Sequence, residues 1–222
     1  MPNPIKPTIK TEILPLLILA IVVASSFYFY SSFPDRVPTH WNFAGEVDGW
    51  GSRAVAAFVM PGVVALIYLL MLFIPHIDPK KDRYKEFQDV YHKFKALFVF
   101  VFSLIYFISG FSALGYSCIS MGKIIPVLIG LLFIFLGYYM GRIKPNWFMG
   151  IRTPWTLSSE EVWNKTHKLG GKTFMFGGAM FIIMGFLPAG ILLPLFIAVI
   201  ALILFVPIVY SYLVYRKIND KK

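Results

Sequence analysis

The sequence predicts an all-α, polytopic membrane protein with six transmembrane helices and both termini on the cytoplasmic side. Three observations carry that expectation. Of the 222 residues, 58% are hydrophobic and 14% charged, against about 25% charged in an ordinary soluble domain. Five long stretches contain no Asp, Glu, Lys or Arg, and the Lys and Arg residues between them alternate between rich and poor connections. With a mean hydropathy of +0.70, a soluble body of this size could not hide its apolar surface, so lipid must be part of the solvent. The same composition excludes a disordered, collagen-like or coiled-coil chain.

The charge-free stretches run 13–34, 54–77, 96–122, 124–141 and 173–215. A crossing needs about 20 apolar residues at a rise of 1.5 Å each, so each of the first four serves as one span. The first is expected to stay attached, because its apolar region is long and no small-residue cleavage site precedes Phe27-Tyr28-Phe29-Tyr30. The fifth stretch would be roughly 65 Å as one helix, twice the hydrocarbon thickness. It must turn, and Leu187-Pro188-Ala189-Gly190 is the expected hinge, since Pro removes a donor and Gly tolerates tight-turn angles. That gives six spans. Alternate connections then hold 18 and 3 of the 21 Lys and Arg, and cytoplasmic connections are the enriched ones. The net charge of +10 thereby faces anionic membrane lipid, and direct nucleic-acid binding is not expected.

Two regions follow: 1–95, with an extracytoplasmic loop at 34–53, and 96–222, with a cytoplasmic loop at 142–172. Long Trp-bearing loops on opposite sides suggest an inverted three-plus-three arrangement. None of the charge-free stretches holds an acid or base at depth, which argues against ion coupling. His76 is read as interfacial, and Pro15, Pro61, Pro126 and Pro207 as prolines that neighbouring helices tolerate. The single cysteine, Cys118, can form neither an internal disulfide nor a thiolate zinc site. Aromatics near span ends, among them Tyr28, Phe29, Tyr30, Trp41, Tyr138, Trp147 and Tyr212, suit the headgroup belts.

The outer loop carries His40-Trp41-Asn42, Gly45 and Glu46-Val47-Asp48-Gly49-Trp50. Asp48-Gly49 and the other glycines signal tight turns, and the tryptophans are held near the outer surface. The loop is expected to be a cap on the bilayer or a recognition surface. His40, Glu46 and Asp48 have no second histidine or recognised ligand spacing, so no metal or cofactor is expected. In the inner loop, Ser158-Ser159-Glu160-Glu161 reads as a capping box with Ser158 as N-cap and Leu157 and Val162 as its staple. The helix it opens is expected to end near Lys168-Leu169, with Gly170 as a left-handed C-cap. Glu160, Trp163, Asn164 and His167 share one face of it. An acid-base pair of Glu160 and His167 has no nucleophile motif beside it, so no enzyme is expected. These groups are expected instead to hydrogen-bond neighbouring loops, with Arg152 gripping a carboxylate, helix-end carbonyls or lipid phosphate.

The run Pro145-Asn146-Trp147-Phe148-Met149-Gly150-Ile151-Arg152-Thr153-Pro154-Trp155-Thr156-Leu157, with Trp163 and Thr166-His167, resembles the signature of the SdpI family of bacterial immunity proteins. The outer Pro38-x-His40-Trp41-Asn42-x-x-Gly45-x-x-Asp48-Gly49 resembles an uncharacterised domain that precedes it in that family. The resemblance implies a protein of the bacterial cytoplasmic membrane that protects against a secreted toxic peptide. It also implies a receptor that sequesters a small transcriptional autorepressor at the inner face. The matching inner positions are Asn146, Gly150, Arg152, Thr153, Pro154, Trp155, Thr156, Trp163 and His167; Gly137-Tyr138 stands where relatives commonly have Gly-Asn. A small transporter or lipid-handling protein built on the inverted halves is the alternative reading.

Overall fold

Helix α1 (Ile9–Ser32) opens at Thr8, whose hydroxyl accepts the Thr11 amide while the Thr11 hydroxyl accepts the Thr8 amide, a capping box that starts the helix ahead of the charge-free run. The structure, a computed structural model, describes residues 4–116 and 120–220; Cys118 lies outside them. After α1 come strands β1 (Arg36–Trp41) and β2 (Val47–Ser52), then α2 (Arg53–Ile77), a 3-10 helix at Lys81–Phe87 and α3 (Gln88–Ala113). The C-terminal part holds α4 (Met121–Met140), the short α5 (Pro154–Ser158), α6 (Glu160–Met184) and α7 (Ala189–Asn219). Among the described residues the fold is all-α apart from one two-stranded antiparallel sheet.

Five of the described helical segments are long and apolar enough to cross a membrane: α1, α2, α3 with the 3-10 helix before it, α4 and α7. Around them Leu17, Ile21, Leu66, Phe73, Phe205 and Leu213 point outward, an apolar belt of the kind that suits lipid. The hinge falls where expected. Helix α6 ends at Met184, and α7 begins one residue after its N-cap, Pro188. Helix α6 is not among the five, because Glu160, Glu161, Lys165, Lys168 and Lys172 occupy its first half.

Helices α1, α2 and α3 pack on one another, and α6 lies between α4 and α7. The α4–α6 crossing explains Gly171, the Ile151 side chain 2.2 Å from where a Cβ would sit explains Gly170, and the expected helix end is corrected. Helix α6 runs straight through both glycines, neither of which has a positive φ. A Cβ on Gly171 would sit 2.6 Å from the Gly137 carbonyl oxygen, and one on Gly178 would sit 2.5 Å from that of Gly130. The glycines let two backbones touch rather than terminate a helix. The cap is corrected as well: Ser159, one residue later than expected, accepts the Val162 amide. Ser158 instead donates to the Trp155 carbonyl, and Glu161 pairs with Lys165 at 2.6 Å.

Phe29 departs from its expected place in the headgroup belt. It is buried, stacks on Phe33 at 5.1 Å and meets Tyr106 edge-on at 5.4 Å. Gly110 makes room, since a Cβ there would reach 2.5 Å from the Phe29 ring. The charge-free runs do not mark the helix limits. Because α1 starts at Ile9 and α3 at Gln88, Glu12 and Lys95 lie inside helices, buried, 2.5 Å apart.

Candidate functional site

The polar residues singled out in the sequence gather at two opposite ends of the bundle, one at the β1–β2 hairpin and one where residues 141–160 cross the ends of α2 and α3. At this second end, here called the junction, the chain leaves α4 and must satisfy its backbone without regular structure. Asn146 does most of that. Fully buried, it accepts the Phe148 and Met149 amides at 2.9 and 2.6 Å and donates to the Lys144 and Met149 carbonyls at 2.9 and 3.1 Å. Asp78, the C-cap of α2, reaches across to accept the Trp147 amide at 2.9 Å and the Tyr84 hydroxyl at 2.8 Å. The N-terminal region thus holds the motif loop from below. Arg83 adds an ion pair to Glu160 across the same seam.

Beyond Asn146 the chain turns at Gly150, whose φ of +99° lies in the left-handed region. A Cβ there would come 2.3 Å from His167 Nε2, so this glycine answers both a backbone angle and a close approach. The Ile151 amide donates to that same Nε2 at 3.0 Å, while His167 Nδ1–H donates to the Trp163 carbonyl at 2.9 Å. Trp163 lies flat against the imidazole at 4.0 Å and sends its indole N–H to the Ile143 carbonyl at 2.8 Å. Thr153 caps α5 by a reciprocal pair with Thr156, and Thr156 also donates to the Ile151 carbonyl at 2.9 Å. Contacts with α7 complete the frame: Thr153 with Ser211 at 3.0 Å and the Trp155 ring with Tyr212 at 5.1 Å. Of the inner positions, Asn146, Thr153, Thr156, Trp163 and His167 are buried, whereas Trp147, Phe148, Arg152, Pro154 and Glu160 face outward. Arg152 donates to the Trp147 carbonyl at 2.7 Å, a carbonyl of its own loop rather than the carboxylate, helix-end carbonyl or lipid phosphate expected of its guanidinium. Glu160 and His167 do not form a pair: one is exposed and bound to Arg83, the other buried and bound to backbone.

Burial pushes the His167 imidazole down to about 4, against a smaller upward pull from its bond to the Trp163 carbonyl. Its geometry agrees. With Nδ1 donating and Nε2 accepting the Ile151 amide, the neutral ring is satisfied, and a second proton would face an N–H. Above pH 6.5 the ring is neutral in both folded and unfolded chains and contributes no pH dependence. As the pH falls from 6.5 toward 4, only the unfolded chain takes up the proton, so stability falls. The expected loss is on the order of 3 kcal/mol between pH 7 and pH 4. Thermal melts in detergent check it: His167→Gln should flatten this part of the profile, and an unchanged slope would contradict the assignment.

At the opposite end, the expected turn at Asp48-Gly49 is a strand position instead. The hairpin turns at 42–46, where Asn42 Oδ1 accepts the Ala44 and Glu46 amides at 2.9 and 3.0 Å and Gly45 takes φ +80°. Glu46 accepts from the Asn42 side chain at 3.1 Å. His40 Nδ1 and Asp48 Oδ1 clasp the two strands at 2.5 Å, and Gly49, paired with His40, leaves space for it. Arg36 covers the Trp50 ring at 5.1 Å. The tip bridges the two halves of the protein. A Cβ on Gly45 would collide with Ser120 at 2.3 Å, and the Phe43 ring lies 5.6 Å from Phe196 of α7. Trp50 and Phe43 remain exposed, and Trp41 is half-buried over an apolar groove of about 310 Å³ that also takes in Val59, Met60, Phe102 and Tyr106.

The two polar ends coincide with what comparison with known proteins finds. Residues 142–211 match the SdpI/YfhL protein family. Over that stretch the chain is similar to the SdpI family. Residues 16–65, which include the hairpin, match a domain of unknown function, DUF1648. Immunity protein SdpI of Bacillus subtilis (strain 168) is 23% identical over 213 residues, covering 96% of this chain and 100% of that protein. No solved structure matches. In this chain the inner signature is largely a scaffold of buried hydrogen bonds. Sequence reasoning missed Asp78, Tyr84 and Ser211, which complete that scaffold, as well as Glu12 and Lys95. The one local signal was Asp78-Pro79 at the end of an apolar run, a helix stop with a free carboxylate.

Proposed function

We propose that this SdpI-family membrane protein protects its cell from a secreted, membrane-active peptide, which it recognises at the β1–β2 hairpin. In this reading six crossings, with α6 as the fifth, put the hairpin outside and the junction and both termini in the cytoplasm of a bacterial cell. The supporting observation is the division of labour along the hairpin. His40, Asn42, Gly45, Asp48 and Gly49 are used up in building it, so Trp41, Phe43 and Trp50 are left as apolar groups on a rigid frame. Such a frame suits an amphipathic peptide arriving along the membrane surface. The hairpin tip rests on the start of α4 and on α7, so a peptide wedged there would strain the C-terminal bundle that carries the junction. A small autorepressor would meet Trp147, Phe148 and Arg152, the outward groups of the motif. No catalytic step is needed.

Expression in cells sensitive to such a peptide tests this directly. Survival should rise well above the empty vector, and Trp50→Ala at equal abundance should lose most of the gain. Survival no better than the vector would overturn the proposal. The groove beneath Trp41 favours a second reading, lipid handling, since its apolar walls accept an acyl chain. Scrambling of labelled lipid in proteoliposomes, abolished by Met60→Trp, would support that reading instead.

A further inference from the structure

Next to the junction but outside the motif loop, near the starts of α1 and α3, a cluster of ionisable groups lies between α1, α2 and α3. Glu12 of α1 and Lys95 of α3 are buried together at 8% and 1% exposure, 2.5 Å apart. The other Glu12 oxygen accepts the Tyr68 hydroxyl of α2 at 2.9 Å, and Thr11 donates to the carboxylate at 2.9 Å. Lys95 lies 5.7 Å from the centre of the Tyr68 ring. One turn before Lys95 stands His92, whose Nδ1 is buried and has no hydrogen-bond partner among the described residues. It is 3.9 Å from Glu12 Oε1, too far for a direct hydrogen bond and the spacing of one bridging water. A cavity of about 10 Å³ adjoins Glu12, His92 and Lys95 and is closed by Ile5, Pro7 and Pro75, room enough for a single water. The charges facing His92 are Glu12 from α1 and Lys95 and Asp89 from α3; α2 presents the Tyr68 hydroxyl to Glu12.

A pair that only stabilised the bundle would need neither an open imidazole nitrogen nor a water-sized space beside it. Ionisable groups held at a membrane-spanning helix bundle are costly and are kept where they handle charge. We propose that Glu12, Tyr68, His92 and Lys95 form a proton-binding site. A proton entering past Ile5 and Pro7 is taken up at His92 Nδ1, and the resulting N–H points through one water at the Glu12 carboxylate. Glu12 stays anionic and divides its interaction between the imidazolium and Lys95. Proton uptake at His92 therefore loosens the Lys95 contact that ties α1 to α3.

Side-chain nitrogen NMR of the full chain in detergent, with labelled histidine, reads this site. His92→Gln assigns the resonance among the four histidines. Glu12→Gln should lower the His92 proton affinity about tenfold, one pH unit, by removing the anion. Lys95→Met should raise it by a similar factor, by removing the cation. Tyr68→Phe leaves the ion pair intact and keeps the test open should either charge variant fail to fold. It strips one donor from Glu12, so the His92 midpoint should move upward. A His92 ring that does not titrate between about pH 4 and 9, or midpoints that stay at the wild-type value in every folded variant, would overturn the proposal. The outcome is independent of whether the protein confers protection.

Discussion

Trp163→Ala is expected to lower the thermal midpoint of the detergent-solubilised protein by on the order of 10 °C, from a loss of about 3–5 kcal/mol. The indole is fully buried in the cluster with Tyr84, Phe87, Tyr91 and Phe94, so truncation leaves a cavity among α3, α6 and the motif loop. It also strands the Ile143 carbonyl, which the indole N–H serves at 2.8 Å, and removes the surface on which His167 stacks. His167 in turn holds the Ile151 amide, so the damage runs into Gly150 and the loop. Trp163→Phe keeps the ring contact and loses one buried hydrogen bond, a smaller cost of about 1–3 kcal/mol. A midpoint for the alanine variant close to wild type would show that the motif is not the scaffold described.

Lys95→Met should be comparably severe, about 3–5 kcal/mol, because it leaves Glu12 buried without its cation. Pairing it with Glu12→Gln should recover most of the loss. A neutral side chain in place of each ion removes the uncompensated charge, and Tyr68 and Thr11 can still bond the amide. Melts of the two single variants and the double variant read the coupling directly. Equal destabilisation in Lys95→Met and in the double variant would mean that the two charges are independent of each other.

Much of the architecture is legible because lipid imposes simple rules. Apolar length marks α1, α2, α4 and α7, and Pro188 marks the turn between α6 and α7. What escaped depends on partners far along the chain. Glu12 and Lys95 looked like boundaries because charges end a hydropathy run, yet an opposite charge 83 positions away carries both inside. Gly170 has the local chemistry of a helix stop, and only the side chains of Ile151 and Met140 against it reveal it as a packing glycine. Asp48-Gly49 has the composition of a turn, but Asn42 with two amides to hold competes better for that role. The inner signature was visible as residues, while its purpose was not. Its polar groups read as candidate binders, and most are spent on the loop's own backbone.

The account rests on the hairpin and the junction lying on opposite sides of the membrane, with α6 and α7 both crossing. Single thiols at Glu46, Glu160 and Asp220, introduced in a Cys118→Ser background and exposed in intact cells to an impermeant maleimide, test it most directly. Labelling at Glu46 alone is the expected result. Labelling at Glu160, or at Asp220 without Glu160, would contradict it.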